Sequence, residues 1–331
     1  MKLVSYLHNG ATKLGAVVQE EVYSLQAVNE DLPNDLINFI QMEDEVRQET
    51  EKKLLSMVAA ASLIAPVKDY ILLAPVPRPT SCRDGYAFRQ HVEAARRNRG
   101  VEMIKEFDQY PIFYFTNHNA IQGPGPITCM PDHFHQLDFE LEIAIVIGKE
   151  GRNIKAKDAD KYIAGFTIMN DLSARKLQIE EMLLNLGPAK GKDFSTVIGP
   201  WLVTPDELAN FLVPAKQGHV GNNYNLSMKC WVNDQLVSSG NVKDMDWTFA
   251  EIIERCSYGV TMYPGDVIGS GTVGTGCFLE LNGTGKLNNP NYTAQWLQPN
   301  DVVTMQIDGL GTLTNTIQAE ATDWSILSLK K

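Results

Sequence analysis

The stretch LDFELEIAIVIG, residues 137–148, reads as a β-strand bound for the middle of the molecule, yet it carries Asp138, Glu140 and Glu142. Side chains alternate across a strand, so Glu140 and Glu142 share one face, which continues with Ala144 and Val146. Phe139, Leu141, Ile143, Ile145 and Ile147 form the other face. Apolar residues on both faces mark a strand covered on both sides. An isolated buried carboxylate is costly or takes up a proton, so charges inside proteins are paired or bind metal. No Lys or Arg lies within 137–148 to neutralise the pair. A hard divalent cation is the natural partner, because Mg²⁺ and Ca²⁺ take oxygen ligands. A solvated face of an edge strand is the plainer alternative.

Further acids favour the metal. In YIAGFTIMNDLSARKLQIEEMLL a strand runs into a helix with Asp171 at the junction, where it either enters a site at the sheet edge or caps the helix. Asp171, Arg175 and Gln178 fall at i, i+4 and i+7, one polar stripe if the helix includes all three. In SCRDGYAFRQHVEAARRNRG, Asp84 and His91 are seven apart, two turns of a helix over roughly 84–99. A histidine ring such as that of His91 is suited to proton transfer, although a lone histidine is as readily structural.

The 331 residues are 44% hydrophobic and 21% charged, ordinary for a globular chain with a full core. A formal charge of −11 argues against nucleic acid and anionic membrane as partners, and the short basic run AARRNRG does not reverse that. The five cysteines are odd in number, scattered and without a CxxC pair, which fits a reducing compartment better than a disulfide framework. MKLVSYLHNG turns polar too early for a signal peptide, and MVAAASLIAPV is too short to span a bilayer. A cytoplasmic protein is expected.

Residues 1–30 alternate in strand fashion around Asn9-Gly10, a hairpin signal, and a charged helix follows over 43–63. Prolines crowd APVKDYILLAPVPRPTS, which places a domain boundary near residue 72: a small β-rich domain over 1–72 and a catalytic domain over 73–331. Beyond it, short β-rich runs are broken by helices at roughly 84–99, 171–185 and 247–256. The fold class is α+β, mostly β, without the regular alternation of a Rossmann fold or a TIM barrel.

The pieces RDGYAFRQH, DFELEIAIVIG, GFTIMNDLSARKLQ, GPAKGKDFSTVIGPW and GSGTVGTGCFLELNG, in that order, together resemble the fumarylacetoacetate hydrolase superfamily, and within it the fumarylacetoacetases. The resemblance implies a mixed β-roll catalytic domain behind the small amino-terminal one, assembled as a homodimer. It makes Asp84, Glu140, Glu142 and Asp171 the ligands of one divalent cation, Mg²⁺ ahead of Ca²⁺ or Mn²⁺. It makes His91 the general base, oriented by Glu280, with Lys192 and Gln178 stabilising charge on the substrate and Arg175 in support. Tyr86 and Thr272 would line the substrate site. The family's substrate-binding arginine has Arg99 as its nearest match, one position off.

The implied activity is metal-dependent hydrolysis of a carbon–carbon bond in a 1,3-diketo acid, fumarylacetoacetate or an acylpyruvate, as in tyrosine degradation. A lyase or isomerase on the same scaffold, acting on oxaloacetate or a 2-keto-enoic acid, is the alternative, and a non-catalytic metal-stabilised binding protein is a third. Acylpyruvate-cleaving relatives carry a glutamate three residues after the histidine, where this chain has Ala94. Lys176 stands where relatives often have an acid, a surface change.

Three motifs tempt and fail. Gly269 to Gly274 spell GxGxxG, but the CFLELNG that follows reads as β rather than as the helix a dinucleotide site needs. GPAKGKD has a shortened phosphate-loop spacing, with Asp193 in place of the required Ser or Thr. His133 and His135 read as surface histidines of a turn.

Overall fold

The computed structural model describes residues 1–60 and 63–331. Its larger sheet runs in the order Glu21–Ser24, Ala11–Val18, Lys2–His8, Thr196–Val203, Ile163–Asp171, Leu141–Ile147, Val267–Gly269, Cys82–Gly85, Phe113–Thr116. A five-stranded sheet, Gln235–Asn241, Ser227–Val232, Val302–Ile307, Gly311–Ala319 and Gly125–Cys129, makes the second layer. The mixed, mostly β architecture is therefore the one expected.

Leu141–Ile147 lies inside the large sheet, antiparallel to Ile163–Asp171 on one side and to Val267–Gly269 on the other, and every one of its residues is buried. Its two faces serve two cores. Leu141, Ile143, Ile145 and Ile147 share a hydrophobic cluster with Met228, Met305, Ile307 and Leu313 of the second sheet. Ala144 and Val146 share another with Leu3, Leu14 and Leu54 of the amino-terminal segment. Each such isoleucine contributes roughly 1.5–3 kcal/mol by leaving water, which fixes the register and leaves Glu142 on the second face no solvent.

Asn9 and Gly10 take φ of +50° and +76° in the two-residue turn between the first two strands. The amino-terminal hairpin extends the large sheet through Leu3↔Leu202, and Ile71–Leu72 also pairs with Lys2–His8. The sheet thus crosses residue 72, and the boundary there stands as a proposed division of the chain.

Three local expectations are corrected. Asp84 sits on the strand Cys82–Gly85, and the helix covers only Arg89–Arg97, so Asp84 and His91 do not share a helix face. Asp171 ends its strand and neither caps nor belongs to the helix Arg175–Met182, whose N-cap is Ala174. The β-like CFLELNG starts a helix, Phe278–Asn288. Its first amides, from Phe278 and Leu279, donate to Asp138 at 2.7 and 2.9 Å. A cap supplied from 140 residues away is invisible to local pattern and overrides it.

All five cysteines are free and buried. No helix among the described residues is long and apolar enough to cross a membrane.

Candidate active site

Three strands deliver four carboxylates to one point. Asp84 comes from Cys82–Gly85, which lies parallel to Val267–Gly269 with Asp84 opposite Gly269. Glu140 precedes and Glu142 belongs to the central strand, while Asp171 ends the strand beside it. One oxygen from each of Asp84, Glu140, Glu142 and Asp171 lies within 4.8 Å of the other three, and all four residues are buried.

The glycine run that mimics a dinucleotide motif makes this cluster possible. A Cβ on Gly269 would sit 2.5 Å from Asp84 Oδ1 and 2.9 Å from Glu142 Oε2. Gly271, at φ +79°, donates its amide to the same two oxygens at 3.1 and 3.0 Å. A helix does follow these glycines, contrary to the sequence reading, but the open face of Gly269 is filled by carboxylates, that of Gly271 by the Gly85–Tyr86 backbone and that of Gly274 by Gln90.

Two cations from outside residues 137–148, which the resemblance places near the substrate, pair directly with the clustered carboxylates. Lys192 Nζ donates to Glu140 and, at 2.7 Å, to Asp171 Oδ2. Arg175 donates to Asp138 and Glu140 at 2.8 and 2.7 Å and to Gln178 Oε1 at 2.9 Å. Tyr114, which the sequence reading passed over, donates its hydroxyl to Asp171.

The neutralisation is lopsided. Burial alone would raise Glu140, but Lys192 and Arg175 outweigh it and hold the carboxyl down to about 2. Burial and the charge of Asp171 push Asp84 up to about 7, and burial with the charge of Asp84 lifts Glu142 well above the carboxylate range. Glu142 Oε1 and Asp171 Oδ1 are buried with no hydrogen-bond partner.

Five buried carboxylates, Asp84, Asp138, Glu140, Glu142 and Asp171, thus share two buried cations, Lys192 and Arg175. The lysine ammonium settles one half of the cluster, whereas Asp84 and Glu142 face each other over a single amide, bonded to one another with no cation between them. Excess negative charge, two orphaned oxygens and an all-oxygen donor set fit a hard divalent cation.

Beside the carboxylates, His91 Nδ1 meets Glu280 Oε2 at 2.6 Å, and Thr275 N holds the other Glu280 oxygen at 3.0 Å. A carboxylate only accepts, so Nδ1 carries the hydrogen and the Nε2 lone pair of a neutral ring is free. A His91 nitrogen and a Glu140 oxygen lie within 4.8 Å, which joins this pair to the cluster. The two helices bearing His91 and Glu280 are tied by Asn98 Nδ2 to the Glu280 carbonyl at 3.0 Å.

Tyr86 stands edge-on to His91, with ring centroids 6.0 Å apart. Thr272 is buried one residue beyond Gly271. Arg99 is exposed just past the end of the helix Arg89–Arg97, with its Nε bonded to the Ala95 carbonyl, and its charge reaches the Tyr86 hydroxyl, which burial pushes up. Glu93, also exposed, pairs with Arg89 and leaves Glu280 as the partner of His91. His133 is a correction, since it is buried against the Phe194 ring at 3.9 Å, and burial lowers it to about 4.

The fold is shared with solved enzymes. Fumarylacetoacetate hydrolase from Exiguobacterium antarcticum superposes with a TM-score of 0.68 at 26% identity, covering 97% of this chain and 100% of that one. Maleylpyruvate hydrolase from Sphingobium, solved with manganese(II) and pyruvate, gives 0.66 at 22% identity, covering 96% and 99%. The chain belongs to the fumarylacetoacetate hydrolase family, a family of enzymes: the model of the fumarylacetoacetate hydrolase C-terminal domain matches residues 80–318. It is also similar to the human mitochondrial oxaloacetate tautomerase FAHD2A, 32% identical over 89% of this chain and 83% of that protein.

Proposed function

We propose that this chain is a metal-dependent hydrolase that cleaves a carbon–carbon bond of a 1,3-diketo acid, fumarylacetoacetate or an acylpyruvate. The observation that carries the reading is the His91–Glu280 hydrogen bond set beside four converging carboxylates. Asp84, Glu140, Glu142 and Asp171 would hold the cation, which supplies Lewis-acid polarisation of the oxygens it takes. Mg²⁺ is the first choice for this donor set, with Ca²⁺ and Mn²⁺ as the alternatives; the manganese bound by the Sphingobium enzyme supports a dication of this class.

His91 Nε2 takes a proton from water as its oxygen adds to a carbonyl carbon. Glu280, bonded at Nδ1, holds the ring orientation and offsets the positive charge that forms. Lys192, Gln178 and Arg175 stabilise negative charge on the substrate oxygens, a class of contact in which one donor is worth about 3–4 kcal/mol. The carbon–carbon bond then breaks to a carboxylic acid and an enolate, and His91 returns the proton to the enolate. Tyr86 and Thr272 line the substrate beside these groups, and Arg99, whose charge reaches Tyr86, is the candidate substrate-binding arginine. The homodimer belongs to the same proposal and is open to sedimentation analysis. The free cysteines support a reducing compartment, the cytoplasm first.

A second reading is keto–enol tautomerisation of oxaloacetate, favoured by the activity named for the human relative. It uses the same His91–Glu280 pair to move a proton between carbon and oxygen and needs no water. The deciding experiment incubates the protein with fumarylacetoacetate, acylpyruvates and enol-oxaloacetate in Mg²⁺, Mn²⁺ or EDTA. Metal-dependent release of two acids from a diketo acid is expected. Faster oxaloacetate ketonisation without cleavage would install the tautomerase instead, and loss of carbon dioxide a decarboxylase. No turnover of any of them would leave a binding protein.

The lifted carboxyls also set a pH dependence. Asp84 has its folded value raised from 3.8 to about 7, so between those limits the metal-free folded state binds more protons than the unfolded one. Its stability is expected to fall as pH rises through that window, and metal affinity to rise as the protons leave. Melting in EDTA at pH 5 and pH 8, with a Mn²⁺ titration at each, checks both signs. Equal metal affinity at the two pH values would contradict them.

A further inference from the structure

Residues 187–192, GPAKGK, have the look of a shortened phosphate loop, and in the fold this loop does bind an anion: the carboxylate of Glu181. Glu181 Oε2 accepts from the amides of Ala189 and Gly191 at 2.8 and 3.0 Å, and Oε1 accepts from Lys190 at 2.8 Å. Three successive amides turned to one side form an anion-binding concavity. The next residue is Lys192, whose ammonium reaches Glu140 and Asp171.

The loop closes on itself through Lys192 N and Asp193 N, which donate to the Ala189 carbonyl at 3.0 and 2.9 Å, and Asn117 Nδ2 holds the Asp193 carbonyl at 3.0 Å just beyond it. Leu183, Leu184 and Leu186 are 76%, 81% and 93% exposed, so no apolar packing anchors the stretch between the helix Arg175–Met182 and the lysine. Gly191 does lie tight against that helix, since a Cβ there would come 2.5 Å from the Gln178 backbone, and its carbonyl accepts from Ala174 N at 2.8 Å. These contacts fix one residue, whereas the Glu181 carboxylate gathers three amides from the helix side. Among the described residues the Glu181 carboxylate is hydrogen-bonded to those three amides and to none of the four clustered carboxylates.

We propose that Glu181 is a positioning residue for Lys192: its carboxylate occupies the amide nest of residues 189–191 and thereby sets where the ammonium stands. The proposal rests on Lys192 acting in the site as described above. A displacement of about an ångström in such a group can cost on the order of a hundredfold in rate, so a latch remote from the chemistry has leverage.

The test compares wild type, E181A, E181Q and K192M, each loaded with Mn²⁺, by amide hydrogen exchange and by turnover of the substrate that the panel above selects. Exchange at residues 189–191 should quicken in E181A, and turnover should fall about tenfold or more. E181Q, which keeps one accepting oxygen but turns an N–H toward the nest, should fall between. Sodium formate, a small carboxylate able to fill the vacated nest, should restore both slow exchange and turnover in E181A in a saturable way, where sodium chloride at equal ionic strength does not. A merely structural loss would not respond to formate. Wild-type exchange rates in a folded E181A, or losses that formate leaves untouched, would overturn the latch. Full turnover in K192M would instead overturn the role of Lys192, and the exchange data would still judge the latch by itself.

Discussion

Replacing His91 with alanine is expected to lower turnover about a thousandfold, the scale of a positioned acid–base group, while the protein keeps its divalent metal. The separation of effects follows from the geometry. His91 bonds to Glu280, and although one of its nitrogens lies within 4.8 Å of a Glu140 oxygen, the four clustered carboxylates come together without it. Its helix loses no internal hydrogen bond on the change, and alanine is the best helix former. What disappears is the free Nε2 that takes and returns the proton. Steady-state kinetics beside metal analysis of the same sample give the answer. Loss of metal together with activity would reassign His91 to the structure of the site. Glu280→Gln, which keeps a hydrogen bond to Nδ1 but not the charge, should lose less.

Glu142→Gln is expected to act in two opposite directions. Metal affinity should drop by more than about a hundredfold, beyond what loss of an outer partner to a ligand costs. The metal-free protein should nevertheless melt at or above the temperature of wild type in EDTA. Burial and the neighbouring charge of Asp84 disfavour the Glu142 carboxylate, and Oε1 has no partner. Glutamine removes that penalty and keeps an oxygen for the Gly271 amide. In wild type, metal at a hundred times its dissociation constant adds about 2.7 kcal/mol to stability, and the variant should show no such gain. Calorimetry with and without Mn²⁺ measures both arms. A variant that loses stability without metal, or gains it normally with metal, would contradict the account of the cluster.

The central strand was legible because its two periodicities conflict: isoleucines on alternate positions demand burial, and Glu140 and Glu142 on the facing positions demand a partner. That conflict pointed to the site before any fold was known. What stayed hidden depends on contacts far apart in the chain. His91 and Glu280 are separated by 189 positions, so their pairing came only from family resemblance. The Glu280 helix reads as a strand because Asp138, the carboxylate that takes its first two amides, lies in another element. Asp84 reads as helical because its seven-residue spacing to His91 fits a helix, whereas a strand and a short loop provide the distance. The roles of Gly269 and Gly271 escaped notice because an absent side chain gives no chemical signal until its neighbours are known.

Lys192 bears most on how the site is understood. Its ammonium reaches two of the four carboxylates, and a protein that neutralised its acids with lysine alone would need no ion. The Asp84–Glu142 half argues otherwise, with one amide shared between two oxygens and a third oxygen unpaired. A crystal grown with Mn²⁺ and measured at the manganese absorption edge decides between these directly. A single anomalous peak bonded to oxygens of Asp84, Glu140, Glu142 and Asp171 is the expected result. A map with no peak there, and the Lys192 ammonium still between Glu140 and Asp171, would contradict it.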